Sequence, residues 1–276
     1  MTYQQILDQG KECLRQAQIP EADLGAWYLF AECFKMDRAR FFLCSQEEAP
    51  SDQIDRYQSF LRGRIRHIPL EYLIHRTEFM GLSYYVDSRV LIPRQDTECL
   101  VEEALLLCKD KDVLDLCTGS GCIGISLAVL GACRSVTLSD ASEEALAVAR
   151  ENGLAHSVDV AFVKSDLFEE VDGDVDIIVS NPPYIARKEI QRLMPEVRDY
   201  EPVMALDGGE DGLFFYKKIM DQLPGHLRRG GMVLFEIGFD QGKAVRRLLE
   251  NRAFVRIEVK KDLAGLDRVV CAQYEG

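Results

Sequence analysis

The stretch DVLDLCTGSGCIGIS, residues 112–126, decides the fold. An apolar segment typical of a buried strand runs into three glycines, Gly119, Gly121 and Gly124, and a second apolar segment follows. Glycines in such a loop remove side chains, so that a ligand can lie against the backbone at a helix N-terminus. The order of strand, glycine loop and helix predicts one unit of a parallel sheet that carries a ligand-binding loop.

Short apolar strands and amphipathic helices alternate around this stretch. The predicted strands are 112–117, 135–140, 158–166, 175–181 and 231–238, and the predicted helices are about 95–108, 121–131, 142–152 and 213–222. This alternation predicts an α/β fold with a doubly wound parallel sheet. The last two strands, FVRIEVKKD and DRVVCAQY, are joined by a loop with one glycine and predict an antiparallel hairpin at one edge of the sheet.

The N-terminal part follows a different pattern. Residues 1–70 have helical periodicity and predict a small helical bundle domain. The predicted core stripe of its second helix consists of Leu24, Trp27, Tyr28, Ala31 and Phe34. Residues 71–90 alternate around Met80-Gly81 and predict a β-hairpin linker, which leaves residues 91–276 for the α/β domain.

Composition narrows the classes of function. The chain of 276 residues has 33 basic and 46 acidic residues, and its net charge of −13 disfavours a protein that holds nucleic acid by its phosphates. Nine scattered cysteines and four dispersed histidines predict reduced thiols and no metal site. With no apolar run long enough to cross a bilayer and a charged N-terminus, we expect a cytoplasmic monomer without a membrane partner.

One basic stretch departs from this acidic composition. The segment RGRIRHIPLEYLIHR, residues 62–76, has four arginines, Arg62, Arg64, Arg66 and Arg76, against one glutamate. A solvated helix face and a docking patch for an acidic partner explain it equally well.

The glycine pattern is shared by dinucleotide-dependent dehydrogenases and by class I methyltransferases that bind S-adenosylmethionine. Asp140 ends the second strand of the sheet and is placed to bind both hydroxyls of a ribose. Asp115 can face the cationic methionine end of S-adenosylmethionine, and Asp166 after the third strand can accept from the adenine amine. These two acids, and the motif that follows the fourth strand, favour S-adenosylmethionine.

That motif is SNPPYI, residues 180–185. It lies at the carboxyl end of a strand, where open α/β sheets bind ligands. The Asn181 side-chain oxygen and the Pro182 carbonyl can accept from both N–H groups of a planar nitrogen, while Pro182 and Pro183 fix the backbone. Tyr184 offers a flat face to a flat substrate group. The motif therefore predicts methyl transfer to an amide or to the exocyclic amine of a base.

Several stretches together resemble the release-factor glutamine methyltransferases of the HemK type. They are LIPRQDTE (91–98), LDLCTGSGCIGIS (114–126), SNPPYI (180–185), EPVMALDGGEDGL (201–213), LFEIGFDQ (234–241) and KDLAGLDRVV (261–270). The resemblance runs from about residue 70 to the end of the chain, and the helical N-terminus fits the family in size. It implies N5-methylation of the glutamine in the Gly-Gly-Gln loop of class 1 peptide chain release factors.

The resemblance also implies site residues and a division of labour. Asn181, Pro182 and Tyr184 would be catalytic, and with Pro183 they would bind the substrate amide. Because every cofactor and amide motif lies beyond residue 90, we expect residues 1–70 to recognise the protein substrate. The residues implied in binding S-adenosylmethionine are Asp115, Cys117, Thr118, Gly119, Ser120, Gly121, Asp140, Asp166, Leu167 and Asn181. The sequence departs from the family at Cys117, where glycine is usual, at Gln95, where proline is common, and at Leu167, where some members carry tryptophan.

Two alternatives remain at this stage. Enzymes that methylate a ribosomal-protein glutamine share nearly all these motifs, and PRQDTE favours the release-factor branch over them. A methyltransferase acting on DNA or RNA bases keeps the same tetrapeptide but needs a basic groove, which the net charge of −13 disfavours.

Overall fold

The computed structural model describes residues 1–276, which form two compact units. One unit comprises Met1–Arg76 and Met194–Tyr200, and the other comprises Thr77–Leu193 and Glu201–Gly276. The helices are α1 (Tyr3–Gln16), α2 (Ala22–Phe34), α3 (Arg38–Cys44), α4 (Ser51–Ile65), α5 (Leu70–Ile74), α6 (Gln95–Leu105), α7 (Cys122–Leu130), α8 (Glu143–Ala155), α9 (Arg187–Ile190), α10 (Pro195–Tyr200), α11 (Phe214–Gln222) and α12 (Gly242–Glu250). The strands are β1 (Thr77–Phe79), β2 (Leu82–Tyr84), β3 (Asp112–Leu116), β4 (Ser135–Asp140), β5 (Ala161–Lys164), β6 (Val175–Ser180), β7 (Leu227–Glu236), β8 (Phe254–Lys261) and β9 (Asp267–Tyr274).

The larger unit is built on a seven-stranded sheet with the order β5-β4-β3-β6-β7-β9-β8. The first five strands in this order pair in parallel, and β9 pairs antiparallel with both β7 and β8. The predicted doubly wound sheet and C-terminal hairpin are therefore confirmed. The direction of winding reverses between β3 and β6, so the carboxyl ends of these two strands border a crevice.

Apolar residues cover both faces of the sheet, because successive side chains of a strand point to opposite faces. In β3, Val113 packs in the layer that contains α6, α7 and the β1–β2 hairpin, whereas Leu114 and Leu116 pack in the layer that contains α11 and α12. Burial on both faces explains why β3 and β6 read as nearly continuous apolar runs.

The smaller unit is a helical bundle with an aromatic core. Phe30 of α2 and Tyr57 of α4 lie with ring centroids 5.8 Å apart, and the Tyr57 hydroxyl donates to the Ala26 carbonyl at 3.1 Å. A Cβ at Gly10 of α1 would lie 1.9 Å from that hydroxyl oxygen. The absence of a side chain at Gly10 thus lets α1 approach α4 closely.

Two sequence expectations for this region need correction. Leu24 and Tyr28 of α2 are exposed, whereas Leu29 and Phe30 are buried, because α2 is apolar around most of its circumference and its pattern does not define one face. The first part of the predicted 71–90 linker is helical, and the hairpin is confined to 77–84, since α5 ends only at Ile74.

The basic stretch 62–76 does not form one continuous surface. Arg62, Arg66 and Arg76 are exposed. Arg64 is buried and its Nη2 lies 2.6 Å from Oε1 of Glu196 in α10, which belongs to the same unit. At least one of the four arginines therefore has a structural partner within the unit.

The nine cysteines are all free thiols, and no group of three or more His, Cys, Asp or Glu side chains is arranged to hold a metal ion. None of the helices is both long enough and apolar enough to cross a lipid bilayer.

Candidate active site

A cavity lies at the carboxyl ends of β3, β4 and β6. It is formed entirely by the larger unit. The structure brings together on its wall most of the residues predicted from the sequence, namely Cys117, Thr118, Gly119, Ser120, Asp140, Asp166, Leu167, Asn181 and Pro183. Asp115, Gly121, Pro182 and Tyr184 do not line it.

Asp140, the last residue of β4, is bound to the glycine loop. Its Oδ2 accepts from the Gly119 N–H at 2.9 Å, and its Oδ1 accepts from the Ser142 N–H at 2.9 Å. Burial raises the pKa of this carboxyl group above its usual value. An ionised carboxylate has about four acceptor positions, so each oxygen can still accept from a ligand in the cavity.

Asp115 stabilises the same loop from behind. Its carboxylate is fully buried, and Oδ2 accepts from the Thr118 hydroxyl at 2.5 Å and from the Gly124 N–H at 2.8 Å. Oδ1 has no hydrogen-bond partner, and burial raises the pKa of Asp115 to about 7. The side chain therefore holds the shape of the loop and has one acceptor unused.

A second anchor of the loop is Asn152 of α8, which sequence reasoning missed. Its Nδ2 donates to the carbonyls of Ser120 at 2.9 Å and Tyr85 at 3.1 Å, and its Oδ1 accepts from the Tyr85 N–H at 2.7 Å. Asn152 is a polar residue on the buried face of α8, where most of the other residues are apolar. The sequence feature that could have identified Asn152 was a single amide side chain on an otherwise apolar helix face.

The motif after β6 is held by hydrogen bonds to α6, to the end of β7 and to the end of β3. Asn181 Nδ2 lies 3.4 Å from the Thr97 hydroxyl of α6, and the Tyr184 hydroxyl donates to Oε1 of Glu236 at 3.2 Å. The Ser180 hydroxyl donates to the Leu116 carbonyl at 2.6 Å and ties the end of β6 to the end of β3. Asn181 thereby faces the same cavity as the glycine loop.

The segment DGGEDG, residues 207–212, packs against the backbone of this motif. Gly208 N–H donates to the Ile185 carbonyl at 2.8 Å, and Gln241 Nε2 donates to the Tyr184 carbonyl at 2.9 Å. A Cβ at Gly212 would lie 2.4 Å from that same carbonyl oxygen. These glycines are thus required because two backbone segments approach closely. The stretch 201–213 was part of the family resemblance, which gave its glycines no role.

Glu236, at the end of β7, is a further residue that sequence reasoning missed. Its side chain is 1% exposed, Oε2 has no hydrogen-bond partner, and burial raises its pKa to about 7. The available signal was one acidic residue inside the otherwise apolar strand MVLFEIG.

Comparison with protein families gives two matches. Residues 94–197 match the model described as methyltransferase small domain, and residues 5–74 match the PrmC N-terminal domain. The first match covers the glycine loop, Asp140 and the motif at Asn181, and the second covers most of the helical bundle.

Curated relatives are similar over nearly the whole chain. A release factor glutamine methyltransferase of Clostridium acetobutylicum is 42% identical over 252 residues, which cover 88% of each chain. The protein of the same name from Clostridium botulinum is 37% identical over 99% of each chain, and that from Cereibacter sphaeroides is 40% identical over 94% of each chain.

Solved structures share the fold at lower identity. A methyltransferase from Pyrococcus furiosus matches with a TM-score of 0.55 and 18% identity, over 82% of this chain and 100% of that one. A 16S rRNA N2 G1207 methyltransferase from T. thermophilus, solved with AdoMet and guanosine, matches with a TM-score of 0.51 and 17% identity, over 72% of this chain and 50% of that one. At the sequence level the similarity to curated relatives is decisive: this chain belongs to the release factor glutamine methyltransferase family.

Proposed function

We propose that the protein transfers a methyl group from S-adenosyl-L-methionine to the side-chain amide nitrogen, N5, of the glutamine in the Gly-Gly-Gln motif of class 1 peptide chain release factors. The observation that carries this proposal is a single cavity lined by Asp140 and the glycine loop on one side and by Asn181 on the other. Such a cavity can hold a nucleoside cofactor and a planar acceptor group side by side.

The residues of the cavity fit S-adenosylmethionine, which supplies an electrophilic methyl group when bound. Asp140 has acceptor capacity for two ribose hydroxyls, and Asp166 can accept from the adenine amine beside the apolar side chain of Leu167. The unpaired Oδ1 of Asp115 places negative charge behind the loop, where a cationic ligand gains from it. Asp140 and Asp166 line the cavity and can contact the ligand directly, whereas Asp115 acts from behind the loop.

On the substrate side, the chain holds and aligns the amide. In the proposed arrangement the side-chain oxygen of Asn181, which lines the cavity, and the Pro182 carbonyl accept from the two amide N–H groups, and Tyr184, fixed by Glu236, offers a flat face. The roles of Pro182 and Tyr184 rest on the motif, since neither residue lines the cavity. Acceptors at both N–H groups favour electron density on nitrogen, and alignment toward the methyl group supplies much of the rate. No residue needs to form a covalent bond to the substrate.

The choice of a release factor rests on the three curated relatives described above, each of which is named release factor glutamine methyltransferase. We assign recognition of the protein substrate to the helical bundle, which contains none of the residues lining the cavity. The bundle also contains the exposed arginines Arg62, Arg66 and Arg76.

Incubation with labelled S-adenosylmethionine and, separately, purified release factors, ribosomal proteins and DNA tests this assignment. We expect label only in release factors, and within them only in the peptide that contains Gly-Gly-Gln. Label in a ribosomal-protein glutamine or in DNA, without label in any release factor, would refute the proposed substrate.

A further inference from the structure

The wall of the cavity has a cationic part to which the proposed function gives no role. Two arginines, Arg89 and Arg94, line the cavity, and no lysine does. S-adenosylmethionine carries an α-carboxylate at its methionine end, and taking such an anion out of water is costly unless hydrogen bonds and positive charge compensate for it. The titratable side chains assigned to the ligand so far, Asp115, Asp140 and Asp166, are all acids. The α-carboxylate therefore needs a different partner.

One of the two arginines already holds a carboxylate of the protein. Arg89 Nε donates to Asp87 Oδ1 at 2.9 Å, and Arg89 Nη2 donates to Asp87 Oδ2 at 2.6 Å. Two parallel hydrogen bonds of this kind are how a guanidinium binds a carboxylate most strongly. Asp87 thus occupies the position at Arg89 that a ligand carboxylate would take.

Arg94, the residue before α6, keeps most of its donors. Its Nη2 donates to Oε1 of Glu201, whose side chain is 1% exposed, and both residues belong to the larger unit. A guanidinium has five N–H donors, so this hydrogen bond uses only one of them. The Arg94 side chain is 39% exposed. The buried glutamate therefore fixes the guanidinium and leaves donors for a ligand.

The order of the strands gives the direction in which the ligand would lie. Asp166 follows β5, Asp140 ends β4, the glycine loop follows β3 and Asn181 follows β6, and these strands are adjacent in that order. A ligand with its adenine at Asp166 and its ribose at Asp140 then extends its methionine end toward β3 and β6.

Arg94 lies at that same end of the cavity. Its carbonyl accepts from the Thr97 N–H at 3.0 Å, and Thr97 Oγ1 lies 3.4 Å from Nδ2 of Asn181. Arg94 is thus within one helical turn of a side chain that contacts the motif after β6. The helix that begins there, α6, packs against α7, β7 and β9 and not against β4 or β5. Arg94 therefore lines the cavity beside the position expected for the methionine end.

We propose that Arg94 binds the α-carboxylate of S-adenosylmethionine, with its guanidinium held at the cavity wall by Glu201. This inference rests on the proposed function, since it takes S-adenosylmethionine to be the ligand. It gives each charged group of the methionine end a partner of opposite sign, because Asp115 places negative charge behind the glycine loop and Arg94 supplies positive charge on the wall. Arg94 would thereby distinguish the whole cofactor from adenosine derivatives that lack the carboxylate.

The test compares two ligands by calorimetric titration of the whole chain. S-adenosylhomocysteine has the α-carboxylate, whereas its decarboxylated form keeps the adenosine, the sulfur and the amine and lacks only that group. We expect the wild type to bind S-adenosylhomocysteine about 10- to 100-fold more tightly than the decarboxylated form, the range of one hydrogen bond between charged groups. In Arg94→Gln this preference should disappear through weaker binding of S-adenosylhomocysteine alone. The Gln amide can still donate to Glu201, so the buried carboxylate keeps a partner.

A matched control and a second variant separate a role in binding from a role in structure. Arg150→Gln makes the same change at an arginine of α8 that pairs with Glu143, has a side-chain exposure of 40% and does not line the cavity. It should keep the wild-type preference. Arg94→Lys keeps the charge but loses the planar fork, so its loss of affinity should be smaller and again confined to S-adenosylhomocysteine. If Arg94→Gln does not fold, Arg94→Lys decides.

A folded Arg94 variant that keeps the full preference for S-adenosylhomocysteine, or that weakens both ligands equally, would overturn the assignment of Arg94 and leave the proposed function intact. A wild-type protein that binds neither ligand would refute the proposed cofactor and this inference with it. If the wild type binds both ligands and methylates no release factor, the proposed substrate fails while the preference still tests Arg94.

Discussion

Asp115 and Glu236 are both fully buried near the cavity, and each has one carboxylate oxygen without a hydrogen-bond partner. Burial raises the pKa of both carboxyl groups to about 7. The protein therefore keeps near the cavity two acids that are costly to ionise. This cost links the stability of the protein to pH.

The usual pKa of a glutamate is 4.5, and burial raises the pKa of Glu236 to about 7 in the folded protein. Between these two pH values Glu236 therefore keeps a proton in the folded state that the unfolded chain has released. The folded state then holds more protons, so this group lowers the free energy of unfolding as the pH rises through that window. Glu236→Gln removes the contribution. In urea denaturation, the stability of the variant relative to wild type should increase by on the order of 2 kcal/mol from about pH 5 to about pH 8. A constant difference between the two proteins would contradict a raised pKa.

Asp140→Ala should weaken binding of S-adenosylmethionine and leave the fold intact. The change removes a carboxylate with acceptors for two ribose hydroxyls, and each hydrogen bond to a charged group is worth about 1.5–3 kcal/mol. Calorimetric titration checks this, with Asp159→Ala, an exposed aspartate that does not line the cavity, as the control. Unchanged affinity in a folded Asp140 variant would place the ribose elsewhere.

At this scale the sequence predicts positions better than contacts. Asp140 and Asn181 line the cavity because strand ends in an open α/β sheet meet at one edge, which periodicity alone reveals. Asp115 lies behind the loop, since a strand-end side chain can face either way. The partnership of Thr97 and Glu236 with the motif depends on how a helix and two distant strands pack, which no local pattern encodes. The functional roles of all these residues stay predictions.

The segment 207–212 packs on the backbone of the motif at Tyr184 and Ile185, and its glycines allow the effect of this packing to be tested. Gly212 has a φ of +73°, and a Cβ there would meet the Tyr184 carbonyl oxygen at 2.4 Å. Gly173 has a similar φ of +76° with open space around it. A side chain at either position would strain the backbone, but only at Gly212 would it also collide with another part of the chain.

Gly212→Ala should therefore lower methyl transfer far more than Gly173→Ala, because a backbone carbonyl cannot move aside as a flexible side chain can. Both changes should cost similar stability from the positive φ, about 1 kcal/mol or somewhat more. Turnover and urea denaturation of the two variants check this. Equal turnover would show that the segment tolerates displacement of Tyr184.

The strands of the α/β unit and its helices α6, α7, α8 and α11 could be read from the sequence, since periodicity and burial agree there, whereas α12 was not predicted. The short helices α3, α5, α9 and α10 could not, because so few residues show no clear period. The glycine pattern placed the loop, but the packing of 207–212 on the motif follows from tertiary contacts.

For the molecule as a whole, cofactor chemistry and recognition of the substrate are assigned to different units. The helical bundle includes the segment Met194–Tyr200, which returns to it from the α/β part of the chain. Within the bundle, Arg64 and Glu196 are paired and the Tyr200 hydroxyl donates to the Arg66 carbonyl at 2.6 Å. Of the four arginines in the basic stretch, Arg64 is buried, and the exposed ones are Arg62, Arg66 and Arg76.

Reversal of charge at Arg62 and Arg66 should raise KM for an intact release factor and leave S-adenosylmethionine affinity unchanged. Attraction between exposed charges is screened by salt, so the difference from wild type should shrink as ionic strength increases. Arg246→Glu on α12 of the other unit is the control. A KM that neither the reversal nor salt affects would exclude docking through these arginines.

The most direct test of the central claim, that Asn181 aligns the substrate amide, is the mass of the Gly-Gly-Gln peptide after incubation of a release factor with wild type or Asn181→Ala. The affinity of each protein for S-adenosylmethionine is measured alongside. We expect the wild type to add one methyl group and Asn181→Ala to add none while it still binds the cofactor, because the glycine loop and Asp140 carry that binding. Full methylation of the peptide by Asn181→Ala would contradict the account.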